Sequence, residues 1–348
     1  MKKVLIAMSG GVDSSVAAFL AQQTGLECIG ATMHLCDGLS SPSDAGKDAA
    51  SVAVRLGMPF FEFDHTALFR EKVVDAFIRC YEEGGTPNPC LYCNRYLKFD
   101  ALLQEAHKLG CSHIVTGHYA QIEQDPKSGR YLLKKAVDTA KDQSYFLSCL
   151  DQTQLASTLF PLGSMTKEQV RQIALEQGFV NAKKRDSQDI CFIPDGDYRK
   201  FMEDYTGKHY PPGDYLDLNG NIVGQHSGAV GYTIGQRKGL GIALGAPIYV
   251  CKKDMAANTV TVGPDEALYH RELIASDWNW ISIPELSGPL RCKARIRYRH
   301  TEQPATVYPE DRGVVRIVFD EPQRAITPGQ TIVLYDNDIV IGGGTICQ

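Results

Sequence analysis

The sequence predicts an α/β protein with an N-terminal parallel sheet covered by helices, a small central domain and a C-terminal β-barrel. From Lys3 to about Leu109, short apolar segments alternate with amphipathic ones, as strands and helices do around a parallel sheet. Beyond about residue 210, short β-rich runs separated by Gly and Pro predominate, which is typical of small antiparallel sheets or barrels. The chain has 348 residues, and roughly 150 residues per domain suggests two or three domains.

The first half of the chain gives the clearest order of elements. We predict strands over 4–8, 28–35 and 60–63, with helices beginning at Ser14 and spanning 49–56. Further helices precede and follow the turn-rich segment 84–89, and a strand over 113–120 carries Gly117 and His118 to the edge of the sheet where ligands bind. We predict helix over 151–180, and a basic turn entering an apolar strand over 183–197.

Composition restricts the class of protein. The formal net charge of −5 argues against wholesale electrostatic binding of nucleic acid, so RNA contacts must use local basic patches. No segment has the roughly 18 consecutive apolar residues of a membrane helix, and the N-terminal apolar run is too short for a secretory signal. We therefore expect a soluble, cytoplasmic protein. Most of its 11 cysteines should be buried, reduced thiols, and only Cys90, Cys93 and Cys191 lie in segments that suggest chemistry.

The segment SGGVDSS (9–15) follows the first strand directly and leads into a helix. Its two glycines allow close approach of the backbone to a ligand, and the amide groups that open the helix form an anion cradle. Asp13 could hold Mg²⁺ on the phosphates. The segment lacks the GxxxxGK[ST] pattern of the common ATPase loop, and it resembles the ATP loop of the N-type ATP-pyrophosphatase superfamily, whose members adenylate a substrate oxygen.

A second segment, TPNPCLYCNR (86–95), contains Cys90 and Cys93. Its position near a helix start and beside Arg95 would favour the thiolate of Cys93. Cys191 lies far away in sequence, and a pair of such thiols suits sulfur relay. The alternative of a structural zinc half-site is weak, because the sequence offers no second CxxC or HxxH pair.

Taken together, the ordered motifs resemble those of the bacterial tRNA-specific 2-thiouridylase family over nearly the whole chain. They run from SGGVDSS through TPNPCLYCNRYLKF, VTGHYA, KDQSYFL, DSQDICFI, GYTIGQRKGLG and RIRYRH to TPGQ. The resemblance implies an adenine nucleotide alpha hydrolase-like fold and formation of 2-thiouridine at the wobble position of tRNA, with release of AMP and pyrophosphate. It also implies ATP and Mg²⁺ as cofactors, and as partners a cysteine desulfurase or relay protein and the tRNAs for Lys, Glu and Gln.

The resemblance also implies roles for individual residues. Cys93 would be the nucleophile and Cys191 would carry the persulfide. The ATP site would consist of Ala7, Met8, Ser9, Gly10, Gly11, Val12, Asp13, Ser14, Met33 and Gly117. The tRNA contacts would be Asn88, Pro89, Cys90, His118, Lys141, Asp142, Gln143, Arg297, Tyr298 and Gln330. Independently of the resemblance, strand alternation in 291–299 places five Lys and Arg residues on one face, which fits a phosphate-tracking surface.

One departure from the family pattern opens an alternative mechanism. Well-known members have Asp where this chain has Cys90, so Cys90, Cys93 and Cys191 could instead hold a [4Fe–4S] cluster that makes the same product. Two other classes are a non-catalytic RNA-binding protein and an adenylating small-molecule ligase. A ligase would need none of the cysteines, so cysteine variants would keep its activity.

The domain boundaries follow from these motifs and from the change in texture. We expect a catalytic ATP-binding domain over 1–200, a central β-rich tRNA-binding domain over 201–272, and a C-terminal β-barrel that contacts tRNA over 273–348. Residues 156–181 could pack with the central domain.

Overall fold

The N-terminal part of the chain is built on a parallel five-stranded sheet. The computed structural model describes residues 2–36, 44–184, 190–242 and 245–347, without the side chains of residues 44 and 45. The strand order is β3-β2-β1-β4-β7, and every neighbouring pair is parallel. The five strands are β1 (Lys3–Ala7), β2 (Glu27–His34), β3 (Phe60–Asp64), β4 (His113–Val115) and β7 (Thr158–Leu159). The predicted parallel sheet is therefore confirmed.

Helices cover both faces of this sheet. One apolar core joins Val4 and Ile6 of β1 to Val16 of the first helix, and a second joins Leu5 of the same strand to Phe99 and Leu102. Alternate side chains of β1 thus enter opposite cores, as strand geometry requires. The helices are α1 (Val12–Gln23), α2 (Asp44–Arg55), α3 (Thr66–Phe69), α4 (Asp75–Glu82), α5 (Pro89–Tyr92), α6 (Leu102–Lys108), α7 (Ser144–Leu147), α8 (Gln152–Ala156), α9 (Lys167–Glu176) and α10 (Tyr198–Thr206).

Two π-helical stretches interrupt these helices. Arg70–Val74 joins α3 to α4, and Cys93–Ala101 joins α5 to α6. Each therefore lies inside a longer helical rod, where the wider π turn changes which residues share a face. Such π segments are frequent at functional sites, and the second one contains Cys93.

The predicted helix over 151–180 is only partly correct. The segment contains α8 and α9, separated by the short strand β7. Both helices begin with a capping box, Asp151 with Gln154 and Thr166 with Gln169, which fixes their first turns. Helix α9 buries Val170 in the core that contains α1, so the expectation that 156–181 packs with the central domain is wrong.

The central segment forms a four-stranded sheet of order β10-β11-β8-β9. Its strands are β8 (Gly213–Leu216), β9 (Ile222–His226), β10 (Tyr249–Asp254) and β11 (Thr259–Gly263). The described part of the apolar strand predicted over 183–197 is not a strand. Residues 190–197 form turns and irregular structure instead. Phe192 and Ile193 are instead anchors buried in an aromatic cluster with α4 and α10. Residues 185–189 of that prediction lie outside the described residues.

The C-terminal segment forms a closed six-stranded barrel. The order β12-β15-β14-β13-β16-β17 is closed by pairing of β12 with β17, which confirms the predicted barrel. Its strands are β12 (Tyr269–Trp280), β13 (Leu290–Arg295), β14 (Gln303–Pro309), β15 (Val315–Arg324), β16 (Thr331–Asp336) and β17 (Ile339–Ile346). The basic strand predicted over 291–299 is shorter than expected, because β13 ends at Arg295 and a turn follows.

A hairpin from the N-terminal segment extends the barrel sheet. Strands β5 (Ala120–Gln124) and β6 (Tyr131–Lys135) pair with each other, and Lys134 of β6 pairs with Ile339 of β17. The core beneath the hairpin contains Tyr145 from the N-terminal segment and Tyr335 from the barrel. The barrel is thereby held against the catalytic segment through both hydrogen bonds and apolar packing. Among the described residues, no helix is long and apolar enough to span a membrane.

Candidate active site

The loop between β1 and α1 has the hydrogen-bonded form expected of an anion cradle. Gly10 has a φ of 70°, which a side chain would disfavour. The Ser14 hydroxyl donates to the Gly11 carbonyl at 3.0 Å and accepts from the Ser9 amide at 3.2 Å. Ala7, Met8 and Val12 lie in or beside the same loop, so the predicted ATP-site residues 7–14 form one continuous structure.

Asp13 is held by two residues that the sequence analysis missed. The Lys167 ammonium lies 2.7 and 2.8 Å from the two carboxylate oxygens of Asp13, and the Tyr119 hydroxyl donates to Oδ1 at 2.9 Å. Lys167 is the first residue of α9, whose capping box fixes its position. Its ammonium contacts both carboxylate oxygens of Asp13, and the role of Asp13 as a magnesium ligand stays a prediction.

Asn181 is a second brace of the loop from distant sequence. It is buried, and its amide nitrogen donates to the Gly10 carbonyl at 3.0 Å and to the Ser15 hydroxyl at 2.9 Å. The Ser15 hydroxyl in turn donates to the Gly11 carbonyl. Lys167 begins α9 and Asn181 follows that helix, and no motif in the sequence marks either residue.

Gly117 touches the loop, as its position after β4 predicted. A Cβ atom at this residue would lie 2.6 Å from the carbonyl carbon of Asp13 and 2.6 Å from the amide nitrogen of Ser14. These are backbone atoms that cannot move aside without moving the loop. The structure therefore brings Gly117 and residues 7–14 together at the carboxyl end of the sheet. Met33 lies near the same end, close to the last residue of β2.

We expect Gly117→Ala to displace the loop. The clash with the Asp13 and Ser14 backbone should cost about 2 kcal/mol of stability and weaken ATP binding, measured by urea unfolding and by titration with ATP. Gly288→Ala is the matched control, because a Cβ there meets nothing within 4 Å and the residue does not have a positive φ. Unchanged ATP affinity in Gly117→Ala would contradict this close approach.

The thiols of Cys90, Cys93 and Cys191 lie close enough to influence one another. Cys93 is buried in the cluster that also contains Phe192 and Ile193, the residues after Cys191. Negative charge on Cys93, Cys90 and Cys36 contributes to the pKa of Cys191. The predicted pair of distant cysteines is thus brought together, and Cys36, assigned to the structural cysteines from sequence, is a neighbour of the same group.

The prediction that Cys93 favours the thiolate is wrong for this structure. Burial raises the pKa of Cys93, and the nearby Cys90 and Cys36 raise that pKa further. The Arg95 guanidinium instead pairs with Asp277 in the barrel, at 3.1 Å. Cys93 is also the fifth residue of the helical rod that begins at Pro89, so it lies beyond the first turn.

Lys98 is the cation that faces the thiols. Its charge lowers the pKa of Cys90 and Cys93 against the effect of burial, and it acts in the same direction on Cys191. Lys98 follows Cys93 by five residues, a spacing that shares a face in the π-helix they both occupy. Sequence reasoning based on the α-helical period misses this spacing.

Cys191 should react slowly with alkylating agents at neutral pH although it is exposed. The surrounding protein desolvates its thiol, and with the neighbouring thiols this raises the pKa of Cys191 to about 12. We expect its rate of alkylation by iodoacetamide to rise about tenfold per pH unit from pH 7 to 10, because only the thiolate reacts. Peptide mass spectrometry separates Cys191 from the exposed Cys347. A rate that levels off below pH 9 would contradict the expectation.

His118 connects the loop side of the site to the thiol side. Its Nδ1 lies 2.8 Å from the Thr116 hydroxyl, and its ring packs against those of Phe99 and Phe160. Burial and the charge of Lys98 hold the pKa of His118 well below its usual value, so the ring is neutral at neutral pH. It follows Gly117, which touches the ATP loop, and it lies within reach of the charge of Lys98, which acts on the thiols.

Side chains of the segment Lys141-Asp142-Gln143 make hydrogen bonds that stabilise the fold. The buried Asp142 carboxylate accepts hydrogen bonds from the Ala136 amide and from the amide and hydroxyl of Ser144. Gln143 accepts a hydrogen bond from the Tyr119 amide at 2.9 Å. The carboxylate of Asp142 is thus occupied, and direct RNA contact by this segment stays a prediction for Lys141 and Gln143.

Of the predicted C-terminal contacts, Gln330 reaches the segment that precedes Cys90, whereas Tyr298 and Arg297 pack elsewhere. Gln330 donates to the Thr86 carbonyl at 2.9 Å. Tyr298 packs on Phe146, with ring centroids 4.3 Å apart, and Arg297 donates to the Arg324 carbonyl. A cleft between α5 and the barrel is lined by Asn88, Leu91, Tyr92, Arg95, Ser148, Cys149, Asp277, Asn279, Gly329, Thr331, Gly343, Gly344 and Thr345. Pro89 is buried at the first turn of α5.

No group of three or more His, Cys, Asp or Glu side chains arranged to hold a metal ion occurs within residues 2–36, 44–184, 190–242 and 245–347. Cys90, Cys93 and Cys191 are all in this part of the chain. They therefore do not form the ligand set that the cluster alternative requires.

Comparison with protein families covers nearly the whole chain. A family model described as tRNA methyl transferase HUP domain matches residues 2–195. Models described as tRNA methyl transferase PRC-barrel domain and aminomethyltransferase beta-barrel domain match residues 199–264 and 270–346.

Solved structures resemble the chain only in part. The U34-tRNA thiolase NcsA from Methanococcus maripaludis is 17% identical, with a TM-score of 0.37 over 59% of this chain and 67% of that one. A 4-thiouridine synthetase in complex with RNA and ATP is 18% identical, with a TM-score of 0.38 over 56% and 45% of the two chains. These scores are too low to indicate more than a partial likeness.

Full-length relatives are much more similar. The tRNA-specific 2-thiouridylase MnmA of Acetivibrio thermocellus is 50% identical, covering 99% of this chain and 99% of that protein. The protein of the same name from Clostridioides difficile is 48% identical over 99% and 98% of the two chains. With the ATP loop, the paired thiols and the barrel in place, the chain belongs to the tRNA-specific 2-thiouridylase family and is a tRNA-modifying sulfurtransferase.

Proposed function

We propose that the protein uses ATP to adenylate the C2 oxygen of the wobble uridine in tRNA and replaces that oxygen with sulfur carried as a persulfide on Cys191. AMP and pyrophosphate leave. The observation that carries the proposal is the series of neighbouring residues that links the ATP loop to the thiols. Gly117 touches the ATP loop, His118 follows it, and Lys98 acts electrostatically on both His118 and the thiols. Adenylation and sulfur transfer would then occur on one bound base.

Residues 7–14, Met33 and Gly117 hold ATP in this proposal. The amide groups at the start of α1 and the hydroxyls of the loop supply hydrogen-bond donors for the phosphates. Lys167 pairs with Asp13 beside them, and this neutralises a carboxylate that would otherwise repel the phosphates. Magnesium enters as the counter-ion of ATP.

Sulfur transfer uses both distant cysteines. The terminal sulfur of the Cys191 persulfide bonds to C2, and the bond from C2 to the adenylated oxygen breaks as AMP leaves. The Cys93 thiolate then attacks Cys191 Sγ, and the electron pair of the broken S–S bond stays on the transferred sulfur, which gives 2-thiouridine. If Cys93 instead attacks first and releases sulfide beside C2, the same Cys93–Cys191 disulfide remains.

Recognition of tRNA involves both ends of the chain. Asn88, Pro89 and Cys90 border the target base, and His118, Lys141 and Gln143 contact the RNA beside it. Arg297, Tyr298 and Gln330 approach from the barrel, and Gln330 supports the segment before Cys90. Lys183 and Lys184, which precede Cys191 in the sequence, help to attract RNA. Arg185, the next basic residue, lies outside the described residues. We propose tRNAs for Lys, Glu and Gln as substrates, a cysteine desulfurase or relay protein as sulfur donor, and a cytoplasmic location.

The test is an anaerobic reaction of the iron-free protein with ATP, Mg²⁺, tRNA, cysteine and a cysteine desulfurase. Nucleoside mass spectrometry of the digested tRNA should detect 2-thiouridine at the wobble position, with stoichiometric AMP. A tRNA transcript with cytidine at the wobble position is the substrate control. Absence of thiouridine under these conditions would overturn the proposal, and AMP release without thiouridine, equal in the wild type and in the cysteine variants, would indicate an adenylating ligase instead.

A further inference from the structure

Cys90 lies one helical turn before Cys93 on the same helical rod. Residues Pro89–Tyr92 are α-helical and Cys93 keeps helical angles, with φ −61° and ψ −42°. Helix geometry places Cα atoms three residues apart at about 5 Å. A disulfide spans Cα atoms about 4.4 to 6.8 Å apart. The backbone therefore allows Cys90 and Cys93 to form a disulfide after side-chain rotation and small local adjustment.

The two thiols differ in access to solvent. Cys90 is exposed, whereas Cys93 is 8% exposed and packs in the apolar cluster with Phe192. Either disulfide of Cys93 keeps one sulfur inside that cluster and one at the surface, at Cys191 or at Cys90. Moving the bond to Cys90 leaves an external thiol able to attack it there, and it frees Cys191.

We propose that Cys90 is the resolving thiol, which regenerates Cys191 after each sulfur transfer. This inference rests on the proposed function, which leaves a Cys93–Cys191 disulfide. The Cys90 thiolate attacks Cys93 Sγ, and a Cys90–Cys93 bond forms as the Cys93–Cys191 bond breaks. The electron pair leaves on Cys191, which takes up the proton that Cys90 released. The exchange involves no net oxidation, and an external dithiol then reduces the Cys90–Cys93 disulfide.

The charges around Cys90 suit this step. Burial raises the pKa of Cys90, and the charge of Lys98 opposes that rise; Lys98 also opposes the rise in the pKa of Cys191, whose thiolate departs. Cys191 is exposed once released, so the sulfur donor can reload it while Cys90 and Cys93 are being reduced. The third thiol, Cys90, thus has a function in this proposal that requires no metal ion.

Trypsin distinguishes the two disulfides by peptide. Cys90 and Cys93 share peptide 80–95, whereas Cys191 lies in peptide 186–199. A single turnover without added reductant, quenched with iodoacetamide, should give peptide 80–95 with an internal disulfide, and fragment ions between Cys80 and Cys90 assign it. Cys90→Ser should give peptides 80–95 and 186–199 joined to each other. With a dithiol present, the ratio of the steady-state rate to the first-turnover rate should be about tenfold lower in Cys90→Ser than in the wild type.

Cys36→Ser is the matched control, because Cys36 is a buried thiol of the same cluster. It should keep the internal disulfide of peptide 80–95. Two results would overturn the inference. The first is that peptides 80–95 and 186–199 are joined in the wild type and the rate ratio is unchanged in Cys90→Ser. The second is a disulfide to peptide 4–47, which contains Cys36.

A second arm separates this inference from the proposed function. The protein without tRNA is equilibrated with oxidised glutathione, and the same peptides are quantified. The internal 80–95 disulfide in the wild type and the joined peptides in Cys90→Ser support the exchange even if no thiouridine forms. Thiouridine formation with joined peptides in both proteins supports the proposed function and excludes Cys90 as the resolving thiol.

Discussion

Cys93→Ser should abolish thiouridine formation, with a fall of at least about 1000-fold in rate, while pyrophosphate is still released from ATP in the presence of tRNA. Serine removes the sulfur nucleophile, whereas the ATP loop belongs to different elements of the fold. Cys191→Ser should have the same phenotype, because no persulfide can be loaded. Nucleoside mass spectrometry and a pyrophosphate-release assay measure the two half-reactions separately.

Cys111→Ser is the control for these variants. Cys111 is buried among Leu5 and Ile114, in a core distinct from the cluster of Cys93, and burial raises the pKa of its thiol. Its replacement changes a buried thiol to a hydroxyl without touching the cluster of Cys93, so thiouridine should still form. Equal loss in Cys111→Ser and Cys93→Ser would mean that serine acts through the fold, and the assignment of Cys93 would fail.

Lys167→Met should lower kcat/KM for ATP at least about 100-fold, because positive charge beside the phosphates contributes strongly to the rate of such reactions. The variant leaves the Asp13 carboxylate with the Tyr119 hydroxyl as a donor, and it places an uncompensated negative charge next to the loop. Initial rates of pyrophosphate release over a range of ATP concentrations measure the effect. Methionine keeps most of the side-chain volume, so α9 should still pack on α1.

Lys108→Met is the matched control for that substitution. Lys108 also pairs with a carboxylate, Glu105, at 2.9 Å, but its side chain is 68% exposed and the pair lies on the helix surface. Surface pairs of this kind contribute little, so activity should not change. The double variant Asp13→Asn with Lys167→Met tests the cause, since removing the charge of Asp13 should recover part of the ATP affinity. No recovery would show that Lys167 acts by another route.

The sequence predicted the parts of the site that are contiguous along the chain. The loop over 9–15 follows a strand, and Gly117 follows another strand of the same sheet, so topology alone brings them together. The two cysteine segments were recognised from their motifs. Their joining depends on Phe192 and Ile193, whose apolar side chains suggested a strand but instead anchor a turn.

Other features depend on tertiary contacts that no local pattern contains. Lys167 reaches Asp13 across 154 residues of sequence, and its own segment reads as an ordinary capped helix. The thiolate of Cys93 was favoured by its place near a helix start and by Arg95. Burial and the pairing of Arg95 with Asp277 reverse that expectation, and both arise from packing of the rod against the rest of the molecule.

The β5–β6 hairpin and Gln330 have a consequence for the order in which the protein matures. Lys134 of the hairpin pairs with Ile339 in β17, the last strand of the barrel. Thr86, in the segment before Cys90, accepts a hydrogen bond from Gln330, which directly precedes β16. A nascent chain emerging from the ribosome has its ATP loop and thiols long before it has these supports. The catalytic segment therefore waits for synthesis of the barrel to acquire its final shape, and products truncated before the barrel cannot support a complete site.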